Sequence, residues 1–328
     1  MKKILLAGLC LIMLALAACS QSGSNSSDPY HNPDGLILIG FSQVGAESDW
    51  RLANTKSMRE TFSEANGYKL VLKDAQNKHE NQITAVREFI SKKVDYIVIA
   101  SVSEEGWEDV LKDAKTAGIP VIIVDRMINV PDDLYTCWVG SDFRREGDTA
   151  VAWMEQTFKD KENLKIVHLQ GSMGSSAQIG RTAGLEAGVS KNAGWEIIYQ
   201  ATGDFYETKG KEVMEIVLKQ YSQIDVVYCE NDNMAYGAIA AMEAAYKTFG
   251  VNGSIAVISF DATRKGLGET LKGNINYNVE CNPMHGPRVE AIIKQLEKGE
   301  TPDKLAYVSE EAFDAATITQ EDIDARAY

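Results

Sequence analysis

Residues 95–126 read DYIVIASVSEEGWEDVLKDAKTAGIPVIIVDR, and this stretch decides the fold. Tyr96-Ile97-Val98-Ile99-Ala100 is a short, unbroken apolar run, and Val121-Ile122-Ile123-Val124 is another. β-Branched runs without polar alternation suit strands covered on both faces, as in parallel sheets. Between them, residues 107–117 carry apolar positions at helical spacing, and Gly118 stops the pattern. A strand, a helix and a second buried strand make one β-α-β unit, and repeats of that unit imply an α/β protein with a parallel sheet.

The same texture extends in both directions. Upstream, residues 36–42 (LILIGFS) form an apolar run ending in a polar loop. Residues 48–65 are helix-patterned through Trp50, Ala53, Met58 and Phe62, and residues 68–72 read as a strand. Ile83, Val86 and Ile90 make a helical stripe. Downstream the pattern restarts at residues 165–170 (KIVHLQ), with further strands expected at 195–200, 225–228, 255–259 and 276–280. A helix is expected over 288–298 and a short strand over 306–308. The expectation is two doubly wound, Rossmann-like parallel-sheet lobes, with the change of lobe near residues 142–146.

The first 35 residues have a different character. Met1-Lys2-Lys3 is basic, residues 4–15 are apolar, and Leu16-Ala17-Ala18-Cys19 follows. The run is shorter than the roughly 20 residues of a membrane span and has the layout of a secretory signal. With small residues just before a cysteine it resembles the bacterial lipobox. That resemblance implies cleavage after residue 18, lipid on Cys19, and a protein held outside the cytoplasm at the cell membrane. Residues 20–35 (SQSGSNSSDPYHNPDG) show no apolar period and read, with Cys19, as a flexible tether.

Bulk composition narrows the function. The chain has 328 residues, enough for two domains. Its net charge is −14, which repels nucleic-acid phosphates, so no nucleic-acid partner is expected. Cys137, Cys229 and Cys281 are widely spaced with no C-x-x-C pair, so they read as buried unpaired residues, with one disulfide among them as the alternative; no metal ligand set and no cofactor are expected. His168 lies in an apolar strand and reads as core. The chain contains no G-x-S-x-G, H-E-x-x-H or phosphate-loop glycine pattern.

In open α/β sheets, ligands bind beyond the carboxyl ends of the strands. The polar residues there are Ser42, Gln43, Glu47, Trp50 and Arg51 after the first strand, and Asp125 and Arg126 after the strand at Val121. Arg181 lies beyond the strand at 165–170. Asp204 and Phe205, Asn231, Asp261 and Glu280 follow the later strands. Arg and Asn donate, whereas Asp and Glu accept, so the set suits sugar hydroxyls, which do both. Trp50 and Phe205 offer apolar faces for a sugar ring. Asp232, next to Asn231, reads as a helix cap or turn residue.

GFSQVGAESDWR (40–51), ENQITAVREFI (80–90), GWEDVLKDAKTAGIPVIIVDR (106–126), GDFYETKGKEVME (203–215), ENDNMAYGAI (230–239) and VECNPMHGP (279–287) together resemble the ribose/galactose-type periplasmic binding proteins of sugar ABC transporters, above all their galactofuranose-binding subgroup. The resemblance spans nearly the whole chain after Cys19. It implies the type I periplasmic binding protein fold, with a three-stranded hinge joining a first lobe (36–143 plus 282–312) to a second (144–281 plus 313–328). It also implies a monosaccharide, galactofuranose or a similar furanose or pyranose, bound between the lobes by the residues named above. Glu280 and Asn282 compete for one motif position, because the spacing to Pro283 varies. The subgroup's disulfide near the strands at Lys165 and Val226 has no evident counterpart, since Cys229 lacks a partner there. The expected role is a monomeric, non-enzymatic solute-binding lipoprotein that hands its sugar to a membrane permease. The alternatives are a sensor subunit for a chemoreceptor or kinase, and a carbohydrate-active enzyme. A two-lobed transcription regulator would carry a helix-turn-helix where this chain has its signal and tether.

Overall fold

The computed structural model describes residues 28–328; the expected signal segment and the Cys19 lipidation site lie outside them. Of the expected tether, residues 28–35 are described, and Asn32 closes a turn there by donating to the Leu36 carbonyl (2.8 Å).

The first lobe opens with strand β1 (Ile37–Gln43), helix α1 (Asp49–Thr61), β2 (Tyr68–Asp74), α2 (His79–Lys92), β3 (Tyr96–Ile99), α3 (Glu108–Thr116), β4 (Val121–Val124) and β5 (Cys137–Gly140). The second lobe follows as α4 (Phe143–Thr157), β6 (Leu164–Gln170), α5 (Ser176–Lys191), β7 (Trp195–Thr202), α6 (Glu207–Gln220), β8 (Val226–Cys229), α7 (Asp232–Ala244), β9 (Ala256–Asp261), α8 (Arg264–Leu271) and β10 (Tyr277–Glu280). The chain ends with α9 (His285–Glu297), β11 (Leu305–Tyr307), β12 (Ala312–Asp314) and α10 (Gln320–Asp324). None of the described helices is long and apolar enough to cross a membrane.

The sheets run β11-β5-β4-β3-β1-β2 and β12-β10-β9-β8-β6-β7. Their main bodies share one topology, since the first five strands of each lobe take the spatial order 2-1-3-4-5. All pairings are parallel except β10 with β12. The chain passes between the sheets three times, after β5, after β10 and after β11. Both sheets therefore carry a strand-order reversal, beside β1 and beside β6, which is where such folds bind ligands.

Burial follows the strand period. In the first lobe Ile39, Phe41, Val98, Ile122 and Val139 pack with Met58 of α1, Phe62 just after it, and Val289 and Ile293 of α9. The opposite face buries Ile97, Ile99 and Ile123. Gly40 lies on that face because a Cβ there would stand 2.5 Å from the Phe89 ring of α2. In the second lobe, a Cβ on Gly184 of α5 would lie 2.6 Å from the Gly147 backbone of α4, so these two helices touch through their backbones. That close approach sets the position of Arg181, one turn earlier on α5.

Two strands escaped the sequence reading. β5 is a four-residue strand and β12 a three-residue edge strand, each too short to show a period. Cys137, Cys229 and Cys281 are buried and free. His168 is fully buried, with Nε2 2.9 Å from the buried carboxylate of Glu230.

Candidate functional site

The carboxyl ends of both sheets face one another, and the lobes touch across the gap. The Asp49 amide donates to Asn233 Oδ1 (3.0 Å), the Met127 amide to Ser176 Oγ (2.8 Å), and the Glu104 amide to the Gly174 carbonyl (3.2 Å). Between the lobes lies a small cavity.

Nine of the thirteen residues read from sequence line it: Glu47, Trp50, Arg51, Asp125, Arg126, Arg181, Phe205, Asn231 and Asp261. Each is placed by a local device. Ser48 caps α1, its hydroxyl accepting from the Arg51 amide (3.1 Å), and this sets Trp50 and Arg51 on the first turn. Asp125, Phe205 and Asp261 hold positive φ angles of 61°, 66° and 99°. Such conformations cost on the order of 1–3 kcal/mol and cluster at binding sites, because they aim a side chain where regular structure cannot. Asn231 caps α7, and its amide donates to the Phe205 carbonyl (3.1 Å).

The three arginines are almost wholly buried. Arg51 Nε donates to Glu47 Oε1 (3.0 Å) and Nη2 to Asp125 Oδ2 (2.8 Å). Burial opposes its charge, but Asp125 and Glu47 outweigh burial and hold its pKa above the ordinary guanidinium value. Arg181 is built the same way from the second lobe, with Nε on Glu146 Oε2 (2.6 Å) and Nη2 on Asp261 Oδ1 (3.4 Å). Burial again opposes the charge, and the two carboxylates again prevail. The cost falls on those carboxyls: burial pushes Glu146 up to about 8 and Asp261 well above its usual range, with Arg181 pulling against both.

Arg126 differs. Its Nη2 reaches Glu47 Oε1 at 3.4 Å, while Nε and Nη1 are buried without a hydrogen-bond partner. Glu47 Oε2 is buried and unpartnered as well. Burial and the neighbouring Arg51 both lower the pKa of Arg126. The guanidinium lies 5.0 Å over the Phe205 ring, across the interlobe gap. Two donors and one acceptor therefore wait on the cavity wall, flanked by the faces of Trp50 and Phe205.

The structure does not bring the other four residues to the cavity. The Gln43 amide is spent on Asn54 Oδ1 (2.8 Å), and its carbonyl on the Val44 amide and Arg51, so it braces the wall from behind. Ser42 is buried in the sheet. Asp204 pairs with Lys209 Nζ and Thr202. Glu280 is the clearest correction. Its carboxylate is taken by Arg326, Tyr328 Oη, the Glu311 amide and Asn282. Neither Glu280 nor its competitor Asn282 reaches the cavity; Cys281, between them, does. Asp232 is corrected too: Asn231 is the helix cap, and Asp232 is a buried carboxylate accepting from Ser259, Thr263 and Asn278. The sequence reading missed Ser48, Phe143, Ala177 and Cys281 as wall residues. Phe143 had a usable signal, as an aromatic at the point where the chain enters the second lobe.

A small chamber closed by the loop tips of two facing α/β lobes defines a two-lobed solute-binding protein. This chain belongs to the periplasmic binding protein domain family, whose model matches residues 39–283. It is 38% identical to the galactofuranose-binding protein YtfQ of Escherichia coli K12 over 290 residues, covering 87% of this chain and 90% of that one. Among solved structures, it is similar to a Mycobacterium smegmatis protein in complex with β-D-fucofuranose (41% identity, 85% of this chain and 92% of that one, TM-score 0.82). It is likewise similar to the periplasmic binding protein of the arabinose ABC transporter from Shewanella sp. ANA-3, bound to α- and β-L-arabinofuranose (38% identity, 88% and 95%, TM-score 0.82).

Proposed function

We propose that this protein is the solute-binding component of an ABC sugar importer and binds one monosaccharide in its furanose form. The observation that carries this reading is the unpartnered set Arg126 Nε, Arg126 Nη1 and Glu47 Oε2, buried in a chamber too small for an oligosaccharide. Buried polar groups left unpaired cost about 1–3 kcal/mol each, so a ligand offering both acceptors and a donor gains by pairing them. Hydroxyls on a compact ring do this, and the two aromatic faces cover its C–H surfaces. The mix of three guanidiniums and three carboxyls on its wall gives the chamber no strong net sign, which favours a neutral sugar over a phosphosugar. The similar proteins reported above carry names or bound sugars of the furanose class, which directs the choice of ring.

Binding and release would follow hinge motion at the three crossings, with closure excluding water and strengthening the polar contacts. The closed form would then present the sugar to a membrane permease. Cys19 would carry the lipid that keeps the protein at the outer face of the cell membrane, in keeping with the lipobox-like residues before it. The protein would work as a monomer and leave its sugar chemically unchanged.

A calorimetric panel of arabinose, galactose, fucose, fructose and ribose tests the reading, with an amino acid and a phosphosugar as controls. Apparent affinity for a free sugar should scale with its furanose fraction, because only that fraction is binding-competent. Pyranosides locked by an anomeric methyl group should give no heat. Tight binding of the phosphosugar or the amino acid would overturn the reading, and so would recovery of a chemically altered sugar.

A further inference from the structure

Beside the crossings between the lobes lies an open recess walled in part by Glu146, Glu280, Glu310 and Glu311. At its edge three ligand-type side chains converge: Glu146, Cys281 and Glu310 each place one donor atom within 4.8 Å of the others. They come from three separate stretches, each beside a different crossing between the lobes. Glu146 lies on the first turn of α4, Cys281 follows β10, and Glu310 lies between β11 and β12. Ser141, at the first crossing, touches both of the others, donating to Glu310 Oε1 (2.6 Å) and standing 3.3 Å from Cys281 Sγ.

A second observation points to a missing partner. Glu146 is buried with 4% exposure; Arg181 takes its Oε2, and its Oε1 has no partner beyond the neighbouring Cys281 thiol. Glu310 is only partly buried, which gives an ion a way in from the recess.

We propose that Glu146, Cys281 and Glu310 form a binding site for a divalent cation of the zinc class, clamping the three crossings in one arrangement. One thiolate with two carboxylates suits a borderline-soft tetrahedral ion, with a water in the fourth position, and disfavours calcium and magnesium. Ligand atoms around zinc stand about 3.5 Å apart given its bond lengths, so the cluster contracts by roughly 1 Å on binding. A divalent ion on a thiolate and two carboxylates leaves one negative charge, beside the Arg181 guanidinium that also faces Asp261. Burial raises all three acids, so binding releases protons to the medium and tightens as pH rises. No spacing motif could have shown this site, because its ligands are scattered from residue 146 to residue 310. The inference does not depend on which ligand fills the chamber.

The test is titration of the full chain, stripped with chelator and free of sugar, with Cd²⁺ followed by ultraviolet absorbance and with Zn²⁺ followed by equilibrium dialysis. The expected result is a thiolate-to-cadmium charge-transfer band that saturates at one ion per chain, and a zinc affinity of matching stoichiometry. Cys281→Ser should abolish the band. Glu310→Gln, at a partly exposed position that leaves the core intact, should weaken zinc by more than the roughly 10–100-fold that losing an outer-shell partner costs. A band that persists in Cys281→Ser, zinc binding unchanged in Glu310→Gln, or a preference for Ca²⁺ over Zn²⁺ would each overturn the proposal.

Discussion

Asp125 and Asp261 occupy matching places in the two lobes. Asp125 directly follows β4, the fourth strand of its lobe; Asp261 ends β9, the fourth strand of the other. Both have positive φ angles, 61° and 99°. Each accepts from a buried arginine on the helix after its lobe's first strand: Arg51 at 2.8 Å and Arg181 at 3.4 Å. The two lobes thus present the same device, a strained aspartate bracing a guanidinium, to one chamber. Arg126 breaks the symmetry, since it is the buried guanidinium with unpartnered Nε and Nη1.

Replacing Arg126 should separate binding from stability. Hydrogen bonds to charged groups contribute about 1.5–3 kcal/mol each, so losing two of them in Arg126→Met should weaken sugar binding by at least about 100-fold. The free protein gains from removing a buried, under-paired charge beside Arg51. Its thermal midpoint should therefore stay level or rise. Calorimetry and a melting curve on the same sample check both halves, and a variant that melts much lower contradicts this view of the residue.

Arg51 should behave in the opposite way. Arg51→Met leaves Glu47 and Asp125 buried with only the longer contacts to Arg126 (3.4 and 3.9 Å), and breaking a buried pair in this manner costs about 3–5 kcal/mol. Urea unfolding of the sugar-free protein measures it. A loss below 1 kcal/mol would show that the ion pairs are not formed in solution.

The contact between α4 and α5 can be tested at one atom. Gly184→Ala places a methyl group 2.6 Å from the Gly147 backbone, and overpacking of this kind costs about 1–3 kcal/mol. Because it pushes α5 outward, it should also lower sugar affinity through Arg181. Gly268→Ala on α8 is the matched control: its methyl meets nothing within 4 Å, and it should stabilise by about 0.4–1 kcal/mol with affinity unchanged.

His285 should make the fold acid-sensitive. It is fully buried, and burial, despite the pull of Asp125, lowers its pKa to about 4. A histidine whose folded pKa lies below its unfolded value of about 6.5 contributes stability that is complete above 6.5 and is lost as pH falls toward 4. The thermal midpoint of the wild type should fall faster between pH 6.5 and 4 than that of His285→Gln. Parallel curves would contradict the assignment.

Much of this was legible in the sequence, for identifiable reasons. Tyr96–Ile99 and Val121–Val124 announce buried parallel strands because a strand covered on both faces has no polar alternation. Asp125 and Asp261 are visible because the sheet topology puts the residue at a strand's carboxyl end into the crevice. What sequence could not give is the direction of a side chain just past a strand, where one residue's rotation changes its neighbours. Glu280 turns to Arg326 and Tyr328 near the chain's end, while Cys281 beside it meets the chamber. Asp204 turns to Lys209, while Phe205 faces Arg126. β5 and β12 were hidden because three or four residues show no period.

The most direct measurement is a crystal structure of the protein grown with the sugar that the calorimetric panel selects. The account predicts a five-membered ring between Trp50 and Phe205, with its hydroxyls or ring oxygen on Arg126 Nε and Nη1 and a hydroxyl donating to Glu47 Oε2. Density for the sugar outside the interlobe chamber, or a ring inside it that leaves those three atoms unpaired, would contradict it.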